Sequence, residues 1–201
     1  MTKRYRSAHD LLASLKALLA FKPSANARDV LEEVVEQLYQ GRGYFWIGIY
    51  LAAGDQVIRQ CFRGPIPPCH SFALGVGNVG TAGKTGVTRV IPDVLLDRTY
   101  SMCFLETRSE IVLPLKIGSR ILGVIDVESD RPNAFSSQER ALLGQVARVV
   151  ARYLTTDQAK RLSRKAREKS NAARVETQPH KPPQSARPKL RRAAAGEHSA
   201  R

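Results

Sequence analysis

Cysteine is scarce in this chain, with three in 201 residues, Cys61, Cys69 and Cys103. So few thiols do not make the disulfide framework of a small secreted domain. Histidine is nearly as rare, and Cys69-His70 is the one place where the two types adjoin. No cluster therefore has the ligand spacing of a structural zinc site. No apolar run is long enough to span a bilayer, and the expectation is a protein without a membrane partner. Acids are few, 18 against 32 Lys and Arg, and after Thr155 there is no aromatic residue at all.

That last absence divides the chain. Residues 155–201 carry thirteen Lys and Arg against four Asp and Glu, which accounts for +9 of the formal +14. Pro179, Pro182, Pro183 and Pro188 forbid a regular helix there, and the apolar content cannot support a core. The segment is expected to be a basic tail, largely disordered: residues 155–170 keep a weak helical periodicity that can extend the last helix, and disorder is expected beyond Ser170. Its charge suits non-specific contact with nucleic acid, independent of sequence because nothing in it can stack on bases. The alternative is a solvated tail that keeps the protein soluble.

At the other end, Lys3, Arg4 and Arg6 precede Leu11 to Phe21 and imitate a signal peptide. Asp10 and Lys16 interrupt the imitation, and leucines 11, 12, 15, 18 and 19 fall at helical spacing. The expectation is an amphipathic helix over 8–21 and a cytoplasmic protein with reduced thiols. The domain division is then an N-terminal helix region, 1–26, a globular domain, 27–154, and the tail.

Within the globular part, 27–40 reads as a second helix, capped by Asn26 and stopped at Gly41. Strands are expected at 44–51 and 57–63, with shorter ones near 71–74 and 88–91. Between the short strands, Gly75-x-Gly77-x-x-Gly80 has the spacing of a dinucleotide loop. No parallel βαβ unit surrounds it, so a tight turn and one helical turn are expected instead. Ser136 and Glu139 form a capping box that opens a last helix to Leu154.

The most informative stretch is Cys103 to Glu128. Two apolar runs, 111–117 and 121–127, flank a Gly118-Ser119 turn and read as an antiparallel hairpin. Asp126 and Glu128 stand two apart, so both carboxylates leave the same face of a central strand. Two like charges there need compensation, and a polar or cationic ligand is one source of it. The fold class on this reading is α+β, with a mainly antiparallel central sheet.

Several stretches, in this order, resemble the GAF domain family: Trp46-Ile-Gly-Ile-Tyr50, the glycine loop with Thr81-Ala82, Arg108 to Pro114, Gly123 to Ser129, and Phe135 to Glu139. The resemblance covers about residues 27–154 and implies a GAF-like α/β/α sandwich that binds a small molecule. Within the family the chain is most similar to the free methionine-(R)-sulfoxide reductases. That similarity implies Cys103, seven residues before Glu110, as the catalytic thiol. It implies Cys69, six residues before Gly75, as the resolving thiol. It also implies Trp46 and Tyr50 as pocket walls, and Glu110, Asp126 and Glu128 as the pocket acids. Glu128 stands where those enzymes carry Asp, and Val79 where they carry a further Cys.

The implied chemistry binds no cofactor and draws on an external, thioredoxin-like dithiol. The small-molecule partner would be free methionine sulfoxide, and the family's helix pairing implies a homodimer. The alternative is a non-catalytic GAF sensing module whose acids hold a small polar ligand. Each residue also has a plainer reading. Cys103 and Cys61 can be small core side chains, Trp46 and Tyr50 ordinary packing, Glu110 a salt-bridge partner of Arg108, and His70 a surface residue.

Overall fold

The computed structural model describes residues 7–21, 27–155 and 168. The Asn26 cap and nearly all of the tail lie outside them. Among the described residues the order is α1 (Ala8–Phe21), α2 (Ala27–Arg42), β1 (Trp46–Ala53), β2 (Gln56–Arg63), β3 (Ser71–Ala73), α3 (Gly77–Thr85), β4 (Arg89–Ile91), β5 (Ser109–Ile117), β6 (Arg120–Ser129) and α4 (Ser137–Leu154). A 3₁₀ turn, Val94–Leu96, interrupts the long connection from β4 to β5.

The six strands form one sheet in the order β3-β2-β1-β6-β5-β4, with every neighbouring pair antiparallel. The β1–β2 and β5–β6 hairpins turn at Gly54 and Gly118, both at positive φ, where a side chain would be strained. The antiparallel architecture expected from the two hairpins is the one observed.

Alternation along the strands divides the sheet into two unlike faces. Ile47, Ile49, Leu51, Leu113, Ile125 and Val127 face α2 and α4, where they meet Leu31, Val34, Leu142 and Val146 in the larger core. Each such side chain contributes about 1.5–3 kcal/mol on full burial. Leu11 and Leu15 of α1 are fully buried against α2 and α4 of the same chain. The leucine stripe of 8–21 is thus used within the chain. Among the described residues no helix is long and apolar enough to cross a membrane.

Trp46, Tyr50, Val112 and Val124 face the opposite way, toward α3 and the β4–β5 connection. On β2 the alternation breaks. Ile49 pairs with Cys61 and Tyr50 with Arg59, which leaves Gln60 as an extra residue. This bulge reverses the parity of the strand. Cys61 joins the helix-side core, and Val57 joins the other.

Three local expectations are corrected. Gly41 does not stop α2; the helix runs through Arg42 and ends at Gly43, whose φ is +68°. The glycine loop leads into a nine-residue helix rather than a single turn. A Cβ on Gly80 would lie 2.0 Å from the Ala73 carbonyl oxygen, so that glycine serves the close packing of α3 on β3. At α4, Ser136 Oγ accepts from the Glu139 amide at 3.2 Å. The Glu139 carboxylate does not complete the box; it pairs with the Arg42 guanidinium and the Tyr44 hydroxyl.

Candidate functional site

The site lies on the face of the sheet away from α2 and α4. Register places its residues side by side: Trp46 opposite Glu128, Gly48 opposite Asp126, Glu110 opposite Glu128, and Val112 opposite Asp126. Three carboxyl groups therefore crowd one patch of central sheet, and all three are buried. Like charges directly opposite on neighbouring strands repel, and burial sharpens the cost.

All three carboxyls are pushed towards their protonated forms. Burial, and then the facing Glu128, push Glu110 up to about 8. Burial also pushes Glu128 up to about 7, although the Thr107 and Tyr100 hydroxyls act in the opposite direction. Asp126 is held well above the ordinary range by burial, by the charges of Glu110 and Glu128, and by its hydrogen bond with Glu110. Glu110 makes no salt bridge with Arg108, which pairs with Asp93 at 2.9 Å instead.

Beside the acids stands an aromatic wall. The Trp46 ring stacks on Phe62 at 6.1 Å and packs against Phe104 at 6.0 Å and Tyr50 at 6.3 Å. The indole lies against Gly48, where a Cβ would come within 2.2 Å of its six-membered ring. Trp46 Nε1 and Asp126 Oδ1 are both buried without a hydrogen-bond partner. A donor and an acceptor, both unsatisfied, thus share one face of the sheet.

Cys69 and Cys103 are joined by a disulfide, with Cα atoms 5.8 Å apart. Both are half-buried and pack against the aromatic wall. The Arg59 guanidinium fixes the loop before β3 by donating to the Cys69 carbonyl, and lies over the Phe62 ring at 4.9 Å. Cys61 is the free cysteine, buried on the other face, its thiol pushed up to about 12 by desolvation first. A thiol so raised and so enclosed is unreactive. His70 is exposed.

The structure thus brings Cys69, Cys103, Trp46, Tyr50, Glu110, Asp126 and Glu128 to one side of the sheet. Sequence reasoning passed over Phe62, Phe104, Thr107, Tyr100 and Asn78. Phe104 adjoins Cys103 in the chain and could have been noticed for that reason. The others depend on register and on where the β4–β5 connection folds back, which no local pattern encodes. An open groove of about 820 Å³ along the edge of β4 is lined by Arg89, Asp93, Asp97 and Asn133 among others, and by none of the three carboxyls. Among the described residues no group of His, Cys, Asp and Glu could hold a metal ion.

Comparison with known proteins follows the same lines. A family model described as GAF domain matches residues 26–154. GAF domain-containing protein A of Dictyostelium discoideum is 33% identical over 144 residues, 70% of this chain and 88% of that protein. A free methionine-R-sulfoxide reductase of Escherichia coli is 34% identical over 119 residues, 57% of this chain and 70% of the enzyme. The crystal structure of a free methionine-R-sulfoxide reductase from Neisseria meningitidis, in complex with its substrate, superposes with a TM-score of 0.68 at 27% identity. It covers 79% of this chain and 91% of that one.

Proposed function

From the premise that this chain belongs to the GAF domain family, we propose that it is a thiol-dependent free methionine-(R)-sulfoxide reductase. The observation that carries the proposal is the Cys69–Cys103 disulfide, set against the same aromatic wall that adjoins three buried carboxyls. Similarity to two reductases of that name supports it.

The chemistry balances with these residues alone and a dithiol. The Cys103 thiolate attacks the sulfoxide sulfur while one proton from the acidic patch goes to the sulfoxide oxygen; the bond from that oxygen to the substrate sulfur then breaks as the hydroxyl passes to Cys103 Sγ. Methionine is released and Cys103 is left as a sulfenic acid. The Cys69 thiol then attacks Cys103 Sγ, forms the disulfide and expels water. An external dithiol of the thioredoxin type reduces the disulfide and is itself oxidised. The net reaction turns one sulfoxide and one dithiol into one thioether, one disulfide and water.

Burial supports particular roles for the other residues. Trp46 and Tyr50 supply apolar surface for the methylthio end of the substrate. Glu110, Asp126 and Glu128 supply protons, and any of them that ionises offers an anion to the substrate ammonium. A methionine sulfoxide inside a peptide lacks that ammonium, so the acids favour the free amino acid. Recycling by a dithiol fits a reducing compartment such as the cytoplasm.

The test is turnover of free methionine-(R)-sulfoxide with a dithiol reductant. Wild type is expected to turn over and Cys103→Ser to be inactive. Cys69→Ser is expected to make one equivalent of methionine and then stall. No turnover by wild type, or undiminished turnover by Cys103→Ser, rejects the reading.

A further inference from the structure

Asn78, the second residue of α3, is buried among charges. Its one Nδ2 donates to two carboxylates, Glu110 Oε2 at 2.7 Å and Asp97 Oδ2 at 2.9 Å. Its Oδ1 accepts from Arg89, with Nη2 at 3.1 Å and Nε at 3.3 Å. Thr99 Oγ1 is also 3.3 Å from that oxygen, but its single proton lies closer to Asp97 Oδ1, at 2.7 Å. The Arg89 guanidinium can only donate, and Asp97, held below the ordinary carboxylate range, can only accept, so the amide has one permitted orientation. Both of its hydrogens are committed to acids.

We propose that Asn78 is a positioning residue that sets the order in which the hydrogen-bonded pair Glu110 and Asp126 ionises: Glu110 first, with Asp126 keeping the proton. An isolated Asp is the stronger acid of the two, so the default order is the reverse. A donor fixed on Glu110 stabilises its anion. No such donor reaches Asp126, whose Oδ1 has no partner at all.

The charged and titratable groups around the pair come from every neighbouring element. Glu128 shares β6 with Asp126, and Tyr50 on β1 interacts with it electrostatically. Asp97 and Tyr100 approach from the β4–β5 connection. Arg89 on β4 reaches Glu110 through Asn78. Asp97 and Glu128 repel charge on Glu110, and Glu128 repels charge on Asp126. Asn78 is the neighbour that distinguishes the two members of the pair by a hydrogen bond to one of them. The result is a carboxyl that stays neutral at neutral pH beside one that accepts its hydrogen bond. Under the reductase reading, on which this role rests, Asp126 is the proton reserve and Glu110 its acceptor partner.

The experiment does not require turnover. Full-length protein carrying ¹³C-labelled side-chain carboxyls is titrated by NMR in wild type and in Asn78→Leu, with site-resolved midpoints for Glu110 and Asp126. Wild type is expected to ionise Glu110 at lower pH than Asp126. The variant is expected to raise the Glu110 midpoint by about one to two pH units, the worth of a hydrogen bond to a charged group, and to lower that of Asp126. Asn78→Ser removes the amide without adding apolar bulk and gives the same readout if the leucine variant does not fold. Unchanged midpoints, or midpoints that move together in one direction, overturn the proposal. Loss of reductase activity in wild type, with these shifts present, rejects the catalytic reading and leaves the ionisation order standing.

Discussion

Glu110 on β5 stands directly across from Glu128 on β6, and both side chains are buried. Two acids facing each other inside a sheet make the folded state bind protons more tightly than the unfolded chain does. The shifts are upward for Glu110, Glu128 and Asp126. The stabilisation they give is therefore complete below the ordinary carboxylate range, near 4. It is lost as pH rises through about 7 for Glu128 and about 8 for Glu110.

The first prediction is that unfolding free energy falls between pH 5 and pH 8. Glu36 works in the opposite sense, because its hydrogen bond from Arg63 lowers it; that contribution disappears only on acidification. Urea unfolding at a series of pH values reads both limbs. Glu110→Gln is expected to flatten the upper limb, and an equally steep fall in that variant contradicts the assignment.

Reduction of the Cys69–Cys103 bond removes a cross-link that spans 34 residues. On the chain-entropy account such a loop is worth at most about 4 kcal/mol. The Tm is expected to drop by on the order of ten degrees in excess dithiothreitol. A protein with both cysteines replaced by serine should melt at the same temperature with or without reductant.

Gly48→Ala should destabilise the fold by about 1–3 kcal/mol, as overpacking of a filled site does. The new methyl group meets the Trp46 ring, so the indole must move. Trp46 is the chain's one tryptophan, and its fluorescence reports that movement without interference. An unchanged emission spectrum would mean that the indole does not rest on the glycine.

Glu139→Gln tests the far side of the sheet. Its carboxylate ties Arg42 and Tyr44 to the start of α4. The loss is expected to cost about 1–3 kcal/mol, typical of a hydrogen bond involving a charged group. Turnover by the folded variant should match wild type, because α4 packs on the face opposite the carboxyls.

Much of the fold could be read from the chain because its periodicities are clean. The stripes of α2 and α4 and the two hairpins follow from residue spacing alone, and Asp126 and Glu128 betray the site by sharing a parity. Three things were not legible. The helix α3 begins among glycines, which disfavour helices, and tertiary packing on β3 overrides that local preference. The bulge at Gln60 changes the direction of every residue after it, yet nothing in the composition of β2 marks it. Asn78 looks like one more polar loop residue until the strands bring Glu110 and Arg89 to it. Their separations along the chain, 32 and 11 residues, belong to topology.

The same bulge has a consequence for how this protein can oxidise. Three cysteines permit three pairings. By turning Cys61 onto the helix side, one surplus residue in β2 places a full layer of hydrogen-bonded backbone between it and the other two. Two of the three pairings are thereby denied to the folded chain. The Cys69–Cys103 bond can break and re-form in the folded chain with no competing partner in Cys61.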